Sequence, residues 1–237
     1  MKTKLTFTLM IVLSILLAGC DKDDLKIEET GIDLINYEFQ ESQAENKEVL
    51  NGIFKSMSTK SSTDVFNTIT GDIIGESTLH RNSNGITVNF KTTHLMPGHA
   101  YTLWWVIWNK PENCLIPGEC TEADFANAIN VEVQLLYASG HVAGNNGKGN
   151  FSAHLNENDD TGSIHELFGL PNFGGLQNAQ TAEVHAVLRS HGPKIPGQVS
   201  EQINSYEGGC TTFLPPFTEI PDEIGECGDI IAAIHRT

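Results

Sequence analysis

Eight side chains are of a type and placement to do chemistry: His141, His154, His185 and His191, and the cysteines Cys114, Cys120, Cys210 and Cys227. Neutral imidazole is a preferred ligand of copper and zinc, so convergence of the four histidines would build a site for one of those ions. The chain carries nine histidines against 14 Lys and Arg, which makes such a site worth testing. No His-x-His or His-x3-His pair holds two of them together in advance, so the site depends wholly on how the strands bring them together. The plainer reading has His185 bonded to Glu183 or to a backbone carbonyl while the others face water.

An even number of cysteines in an exported chain reads as two disulfides, with three connectivities open. Cys114–Cys120 and Cys210–Cys227 are favoured, because each pair brackets a polar stretch containing Pro or Gly, the kind of loop that a crosslink staples. A zinc site made of cysteines is disfavoured, since neither pair has the gap of roughly two to four residues that gathers thiolates around one metal. Catalytic constellations are weaker still. There is no Gly-x-Ser-x-Gly elbow, and Ser190 and His191 are adjacent on a strand end, which points their side chains apart. Gly147-Lys148 lacks the Ser/Thr and the spaced Gly of a phosphate loop. Asp159 and Asp160 sit in a polar stretch, and a calcium loop over Asn156 to Asp160 would have its glycine, Gly162, one place late. No reaction is specified. The chain reads as a non-catalytic binding or structural module without a cofactor, and the competing reading is a copper- or zinc-binding or redox protein using the histidines.

The address is better marked than the activity. Lys2 and Lys4 precede an apolar run from Leu5 to Leu17, followed by Ala18, Gly19 and Cys20, which is the layout of a signal peptide over residues 1–19. Leu17-Ala18-Gly19-Cys20 resembles the bacterial lipobox, in which the cysteine thiol is acylated, and several buried acyl chains make such an anchor effectively permanent. Residues 20–63 are read as an acylated tether and Ser/Thr-rich linker, with a short amphipathic helix at Val49, Leu50, Ile53, Phe54 and Met57. The acidic start of this tether, Asp21, Asp23 and Asp24, resembles the signal that sends some lipoproteins to the outer face of the outer membrane. Asp and Glu number 30, giving a formal charge of −16, and loss of Lys2 and Lys4 with the leader makes it −18. Nucleic acid is thereby disfavoured as a partner. The expected partners are a membrane, through the lipid, and a protein or glycan ligand.

Residues 64–237 must then position whatever the domain binds. Ile86, Val88 and Phe90 alternate with Thr87 and Asn89, a half-buried strand. His99 to Asn109 is apolar on both faces, which suits a central strand covered on both sides and puts Trp104 and Trp105 on opposite faces. Exposed indoles could stack on sugars, but core packing is the expected use of Trp104, Trp105 and Trp108. Thr121 caps a short helix through Ala128. Val131 to Ala138 and Gly149 to Asn156 flank a glycine-rich turn and read as a hairpin. Glu183 to Ser190 places Glu183, His185, Val187 and Arg189 on one face and Val184, Ala186 and Leu188 on the core face. With a last strand at Asp229 to His235, the pattern predicts an all-β fold: an antiparallel β-sandwich, immunoglobulin-like or jelly-roll-like, with an N-terminal flexible tether and one short helix.

Three stretches together, Leu95-Met96-Pro97-Gly98-His99-Ala100-Tyr101-Thr102-Leu103-Trp104-Trp105, Ser139-Gly140-His141-Val142 with Gly149-Asn150-Phe151-Ser152-Ala153, and Ala182 to Pro193 running on to Gly208-Gly209-Cys210, resemble an uncharacterised family of secreted bacterial β-sandwich proteins. The resemblance spans about residues 85–237 and implies an exported sandwich with the same cysteine pairs, but no activity. Chordin-type domains, sandwiches with a His-bearing strand, are a looser likeness.

Overall fold

The computed structural model describes residues 58–237. The signal peptide, Cys20, the tether as far as residue 57 and the short helix expected near Val49 to Met57 lie outside the described residues. Among the described residues nine strands carry the fold: β1 (Thr59–Asn67), β2 (Ile73–Asn82), β3 (Gly85–Thr92), β4 (His99–Trp108), β5 (Val133–Val142), β6 (Gly149–Asn156), β7 (Glu183–Pro193), β8 (Thr212–Phe213) and β9 (Glu226–His235). The hydrogen-bonded path runs β5-β4-β7-β9-β1-β2-β3-β6 with every neighbouring pair antiparallel, and β8 alone adds in parallel to β9. The end strands β5 and β6 lie against each other, with His141 stacked on Phe151 at 4.1 Å, so the antiparallel sandwich is nearly closed on itself.

Alternation sets which residues point inward. Ile86, Val88 and Phe90 of β3, Tyr101, Leu103, Trp105 and Ile107 of β4, and Val184, Ala186 and Leu188 of β7 meet Leu79, Phe151, Ile231 and Ala233 in one interior cluster. Trp104, Val106 and Trp108 point the other way. Trp104 is covered by Tyr137 and Tyr206, and Trp108 by the chain between β4 and β5, which folds back as a second layer where Trp108 packs with Cys114, Cys120, Ala128, Val131 and Val133. This is why β4 reads as apolar on both faces. All three tryptophans are buried, so none offers an exposed platform for a sugar ring.

The second layer is held by local chemistry. Thr121 and Asp124 form a capping box at the start of a 3-10 turn (Glu122–Asn127), which runs into the one-turn helix α1 (Ala128–Val131). Asp124 also accepts the Leu115 N–H at 2.6 Å, and the Cys114–Cys120 disulfide closes the loop below it. The second disulfide is Cys210–Cys227, so both crosslinks join the pairs favoured from the sequence. They stabilise by restricting the unfolded chain, more for longer loops. Removing Cys210–Cys227, at a sequence separation of 17, by paired Ser substitution is expected to cost about 3 kcal/mol in urea unfolding, against about 2 kcal/mol for Cys114–Cys120, at a separation of 6. The opposite ranking would mean that the native contacts around the sulfurs, rather than loop entropy, set the effect.

Three elements depart from the sequence reading. The Ser/Thr-rich stretch assigned to the linker is strand from Thr59 onward, pairing with β2 from Thr59↔Arg81 to Phe66↔Ile73. Only Val65 of this strand is fully buried, so the composition of a half-wet strand was read as that of a linker. The expected hairpin does not pair. β5 hydrogen-bonds to β4 and β6 to β3, and the turn between them is tied instead to the 94–98 segment by Leu95 N–H to Gly147 O and Gly98 N–H to Ala143 O. Gly147 does adopt the positive φ (+61°) that Asn-Gly sequences supply, but turn chemistry fixes the reversal and not the strand partner. Helix α2 (Val199–Asn204) was not foreseen. It packs so closely on β5 that a Cβ at Gly140 would lie 2.0 Å from the Ile203 carbonyl oxygen.

Candidate functional site

The outer face of β4, β7 and β9, between the sheet and the second layer, carries two adjoining cavities that share Val106, Glu122, Phe125, Val187 and Phe217. One lobe, about 270 Å3, is walled mainly by Trp104, Leu135, Ile164, Phe168, Val187 and Tyr206. The other, about 430 Å3, adds Thr68, Trp108, Thr121, His185, Ile234 and Arg236. The first is an apolar slot and the second supplies polar groups, which is the usual division in a small-molecule site.

The sheet dictates which side chains face the groove. Odd-numbered residues of β7 point outward, and residues 122 and 125 reach over them from the capped turn. Glu183 is fully buried, accepts the Cys120 N–H on both oxygens at 3.2 Å, and lies 2.7 Å from His185 Nε2. A carboxylate already accepting from an amide accepts again, so Nε2 carries a proton and the ring is fixed edge-on beside Trp108, 5.8 Å between centroids. No hydrogen bond among the described residues reaches His185 Nδ1. Arg236 is shared between Glu119 at 3.5 Å and Glu183 at 3.9 Å. At the far end of the apolar lobe, Arg189 pairs with Asp229 at 3.0 Å and lies 3.9 Å from the centre of the Tyr206 ring. Tyr206 also donates its hydroxyl to Asp229 at 3.2 Å, and burial followed by the Asp229 charge raises its phenol above the ordinary range. Glu122, common to both lobes, is raised by desolvation and then by Asp229.

The buried side-chain atoms without a hydrogen-bond partner among the described residues are Thr68 Oγ1, His99 Nδ1 and Trp108 Nε1. Two of these three residues, Thr68 and Trp108, line the polar lobe. A buried polar atom without a partner is uncommon and calls for an explanation. Composition could not have shown this, because the end of β4 and the β1–β2 connection come to border one cavity only when β7 and β9 pair between them.

The four histidines named from the sequence are held by four separate sets of partners. His141 is stacked on Phe151, and burial lowers its basicity. His154, exposed on β6, bonds Thr87 at 2.8 Å and Asn156 at 3.0 Å. His185 lies in the groove with Glu183. His191 is fully buried and six residues along the same strand, about 20 Å away at the rise of a β-strand. No group of three metal-binding side chains unites these histidines among the described residues.

His191 does join a different group, His191 with Cys210 and Cys227, whose ligand atoms all lie within 4.8 Å of one another. Its present bonding is structural. Trp104 Nε1–H donates to Thr102 Oγ1 at 2.7 Å, so the Thr102 hydroxyl is free to donate to His191 Nε2 at 2.8 Å, which leaves the imidazole proton on Nδ1 for the Gly208 carbonyl at 2.9 Å. The atom that faces the sulfurs is thus the protonated one, and both sulfurs are joined in the disulfide. Desolvation, then the Arg189 charge, pushes His191 down to about 4, in keeping with a neutral ring. The remaining sequence candidates carry no machinery. Asp160 accepts from Asn172 at 2.8 Å, Asp159 is lowered by its bonds to Thr161, and Ser190 accepts the Gly192 N–H at 3.2 Å.

Two disulfides belong to an oxidising compartment. Among the described residues no helix is long and apolar enough to cross a membrane. No protein-family model and no curated protein matches the chain. Among solved structures it is similar to a SOD-like protein from Bacillus subtilis, with 12% sequence identity, coverage of 74% of this chain and 99% of that one, and a TM-score of 0.29, a likeness that specifies neither a ligand nor a reaction.

Proposed function

We propose that the chain is a cell-envelope lipoprotein, anchored through Cys20 to a bacterial outer membrane, whose sandwich is a non-catalytic binding module with its ligand site in the groove over β4, β7 and β9. The observation that carries this reading is the groove itself: an apolar slot adjoining a lobe lined by the polar side chains of Thr121, Glu122, His185 and Arg236. The leader, the lipobox and the two disulfides support the address. The groove is tested with the neutral dye Nile red. Its emission is expected to rise and shift to the blue on binding, and Val187→Trp, which fills the part common to both lobes, is expected to weaken that binding by at least about tenfold, equivalent to about 1.4 kcal/mol. Equal binding by the variant removes the groove as the site. The anchor is tested by labelled palmitate, incorporated by the intact chain and absent after Cys20→Ser.

A second reading is favoured by one measurement: His191 Nδ1 stands 3.5 Å from Cys210 Sγ and 3.7 Å from Cys227 Sγ, close to the ligand-to-ligand separations around a tetrahedral zinc. A dithiol reductant would supply the two electrons and two protons that convert the disulfide to thiols, itself becoming a disulfide; zinc would displace the two thiol protons, and the His191 proton would pass from Nδ1 to Nε2, with Thr102 Oγ1 turning from donor to acceptor, to free the Nδ1 lone pair. Equimolar zinc retained only under reduction, and lost in Cys210→Ser, supports this reading. Metal-free protein in both states ends it.

A further inference from the structure

Resting on the groove reading, we infer that the apolar lobe receives a cation without N–H groups, a quaternary ammonium carried on an apolar body. Five aromatic side chains, Trp104, Phe125, Phe168, Tyr206 and Phe217, line this lobe together with two carboxylates, Glu122 and Asp229. Trp104 and Phe168 both pack edge-to-face with Tyr206, at 5.3 Å and 5.2 Å between centroids, so the rings meet at angles like the walls of a box. Aromatic faces attract a cation, and the attraction strengthens where water is excluded. The protein already uses this contact once: the Arg189 guanidinium stands 3.9 Å from the centre of the Tyr206 ring and 5.6 Å from that of Phe213. The charges leave one anion over. Asp229 is neutralised by Arg189, whose side chain is 2% exposed, and its second oxygen accepts the Tyr206 hydroxyl. Glu122 has no hydrogen bond or ion pair among the described residues. Arg236, in the adjoining lobe, is shared between Glu119 and Glu183 and supplies no counterion to it. Desolvation and then the Asp229 charge raise the Glu122 carboxyl, the response of a carboxylate that faces apolar walls and a second anion. An anionic ligand would add to that repulsion, in a chain that carries −16 as a whole. The available acceptors then choose among cations. A primary ammonium brings three donors, and among the side chains lining the lobe only the Glu122 carboxylate is uncommitted. A trimethylammonium head asks for no acceptor, and its methyl groups pack against the rings.

Four phenyl compounds separate the heads: phenyltrimethylammonium, its neutral isostere tert-butylbenzene, benzenesulfonate and benzylammonium, each scored by calorimetry and by displacement of Nile red from the mature chain kept unacylated by Cys20→Ser. Phenyltrimethylammonium is expected to bind about tenfold more tightly than tert-butylbenzene or benzylammonium, with benzenesulfonate the weakest of the four. In Glu122→Gln the preference for the cation over its isostere is expected to fall to about threefold or less. That preference is a ratio taken within one protein, so an overall change in groove affinity does not affect it. Glu112→Gln makes the same change of charge at an exposed carboxylate outside both lobes, and is expected to keep the tenfold ratio. Tighter binding of any other probe, a ratio retained in Glu122→Gln, or an equal loss in Glu112→Gln overturns the inference. The ranking of heads is read on the chain with Glu122 intact, so the test survives if the Gln variant folds poorly. Nile red binding without a preference for the cation overturns this inference alone, whereas failure of Nile red and all four probes to bind removes the groove reading beneath it.

Discussion

Arg81→Ala is expected to lower the unfolding free energy by about 3–5 kcal/mol, among the largest effects of any single substitution outside the apolar core. Arg81 is 4% exposed on β2, and its guanidinium donates to Ala179 O at 2.7 Å, Ala182 O at 2.8 Å and His235 O at 3.3 Å. It thereby ties β2 to the connection entering β7 and to the end of β9, three segments that no single ladder joins. Alanine would leave three carbonyls short of a donor in a place water does not reach. It would also remove the positive charge that faces the buried Glu183, whose carboxylate would keep only Cys120 N–H, His185 and the more distant Arg236. Desolvation has already lowered the Arg81 guanidinium to about 10, so the charge is held in place by its partners. Arg81→Lys retains a charge but not the fork that reaches three acceptors, and should recover less than half of the loss. Urea unfolding of the three proteins is the measurement. A loss below about 1 kcal/mol for alanine would show that water replaces the guanidinium and that these bonds contribute little.

Acid is expected to unfold this protein well before its carboxylates are neutralised. His191 and His235 are both pushed down to about 4 from an ordinary 6.5, by desolvation first and then by a neighbouring guanidinium, Arg189 for His191 and Arg81 for His235. His235 is 2% exposed and sits between Ser77 Oγ at 2.9 Å and Ser61 Oγ at 3.2 Å. Above pH 6.5 both rings are neutral folded or unfolded, and their contribution is complete. As pH falls from 6.5 to 4 the unfolded chain takes up two protons that the folded chain refuses, so stability declines across that window and the loss from these groups levels off below pH 4. A shift of this size corresponds to about 3 kcal/mol per histidine. His99 and His141, also lowered chiefly by burial, add to the same trend. Urea midpoints measured at half-unit steps should fall steeply between pH 6.5 and 4, and His235→Gln should make the decline shallower by roughly half of the two-histidine effect. An unchanged slope in the variant would mean that the His235 site admits a proton on folding.

The same residues show how far the sequence could be read. The strict alternation in β3 and on the outward and inward faces of β7 was legible because a two-residue period is a local property of a pleated chain. The cysteine pairs were legible because each closes a short loop. The partner of β6 was not, since an Asn-Gly turn directs reversal without choosing a ladder, and here β6 is claimed by β3 while the turn is claimed by the 94–98 segment. The Ser/Thr run of β1 was misread as linker because a strand with one fully buried residue has almost no apolar signature. His185 and His191 were singled out as candidate ligands of one ion. Their neighbours were misjudged, since a shared strand and a shared face place them about 20 Å apart.

By itself the sequence determined an acidic chain, two disulfides and an antiparallel sandwich, because charge, loop-closing cysteines and two-residue periodicity are all read along the chain. The tertiary structure alone decided that the outer face of β7 is not wet. A second layer built from the β4–β5 excursion covers Glu183, Tyr206 and Phe213 cover Arg189, and a groove remains over the face between them. That outcome depends on contacts between residues far apart in the chain, which no local pattern of residues encodes.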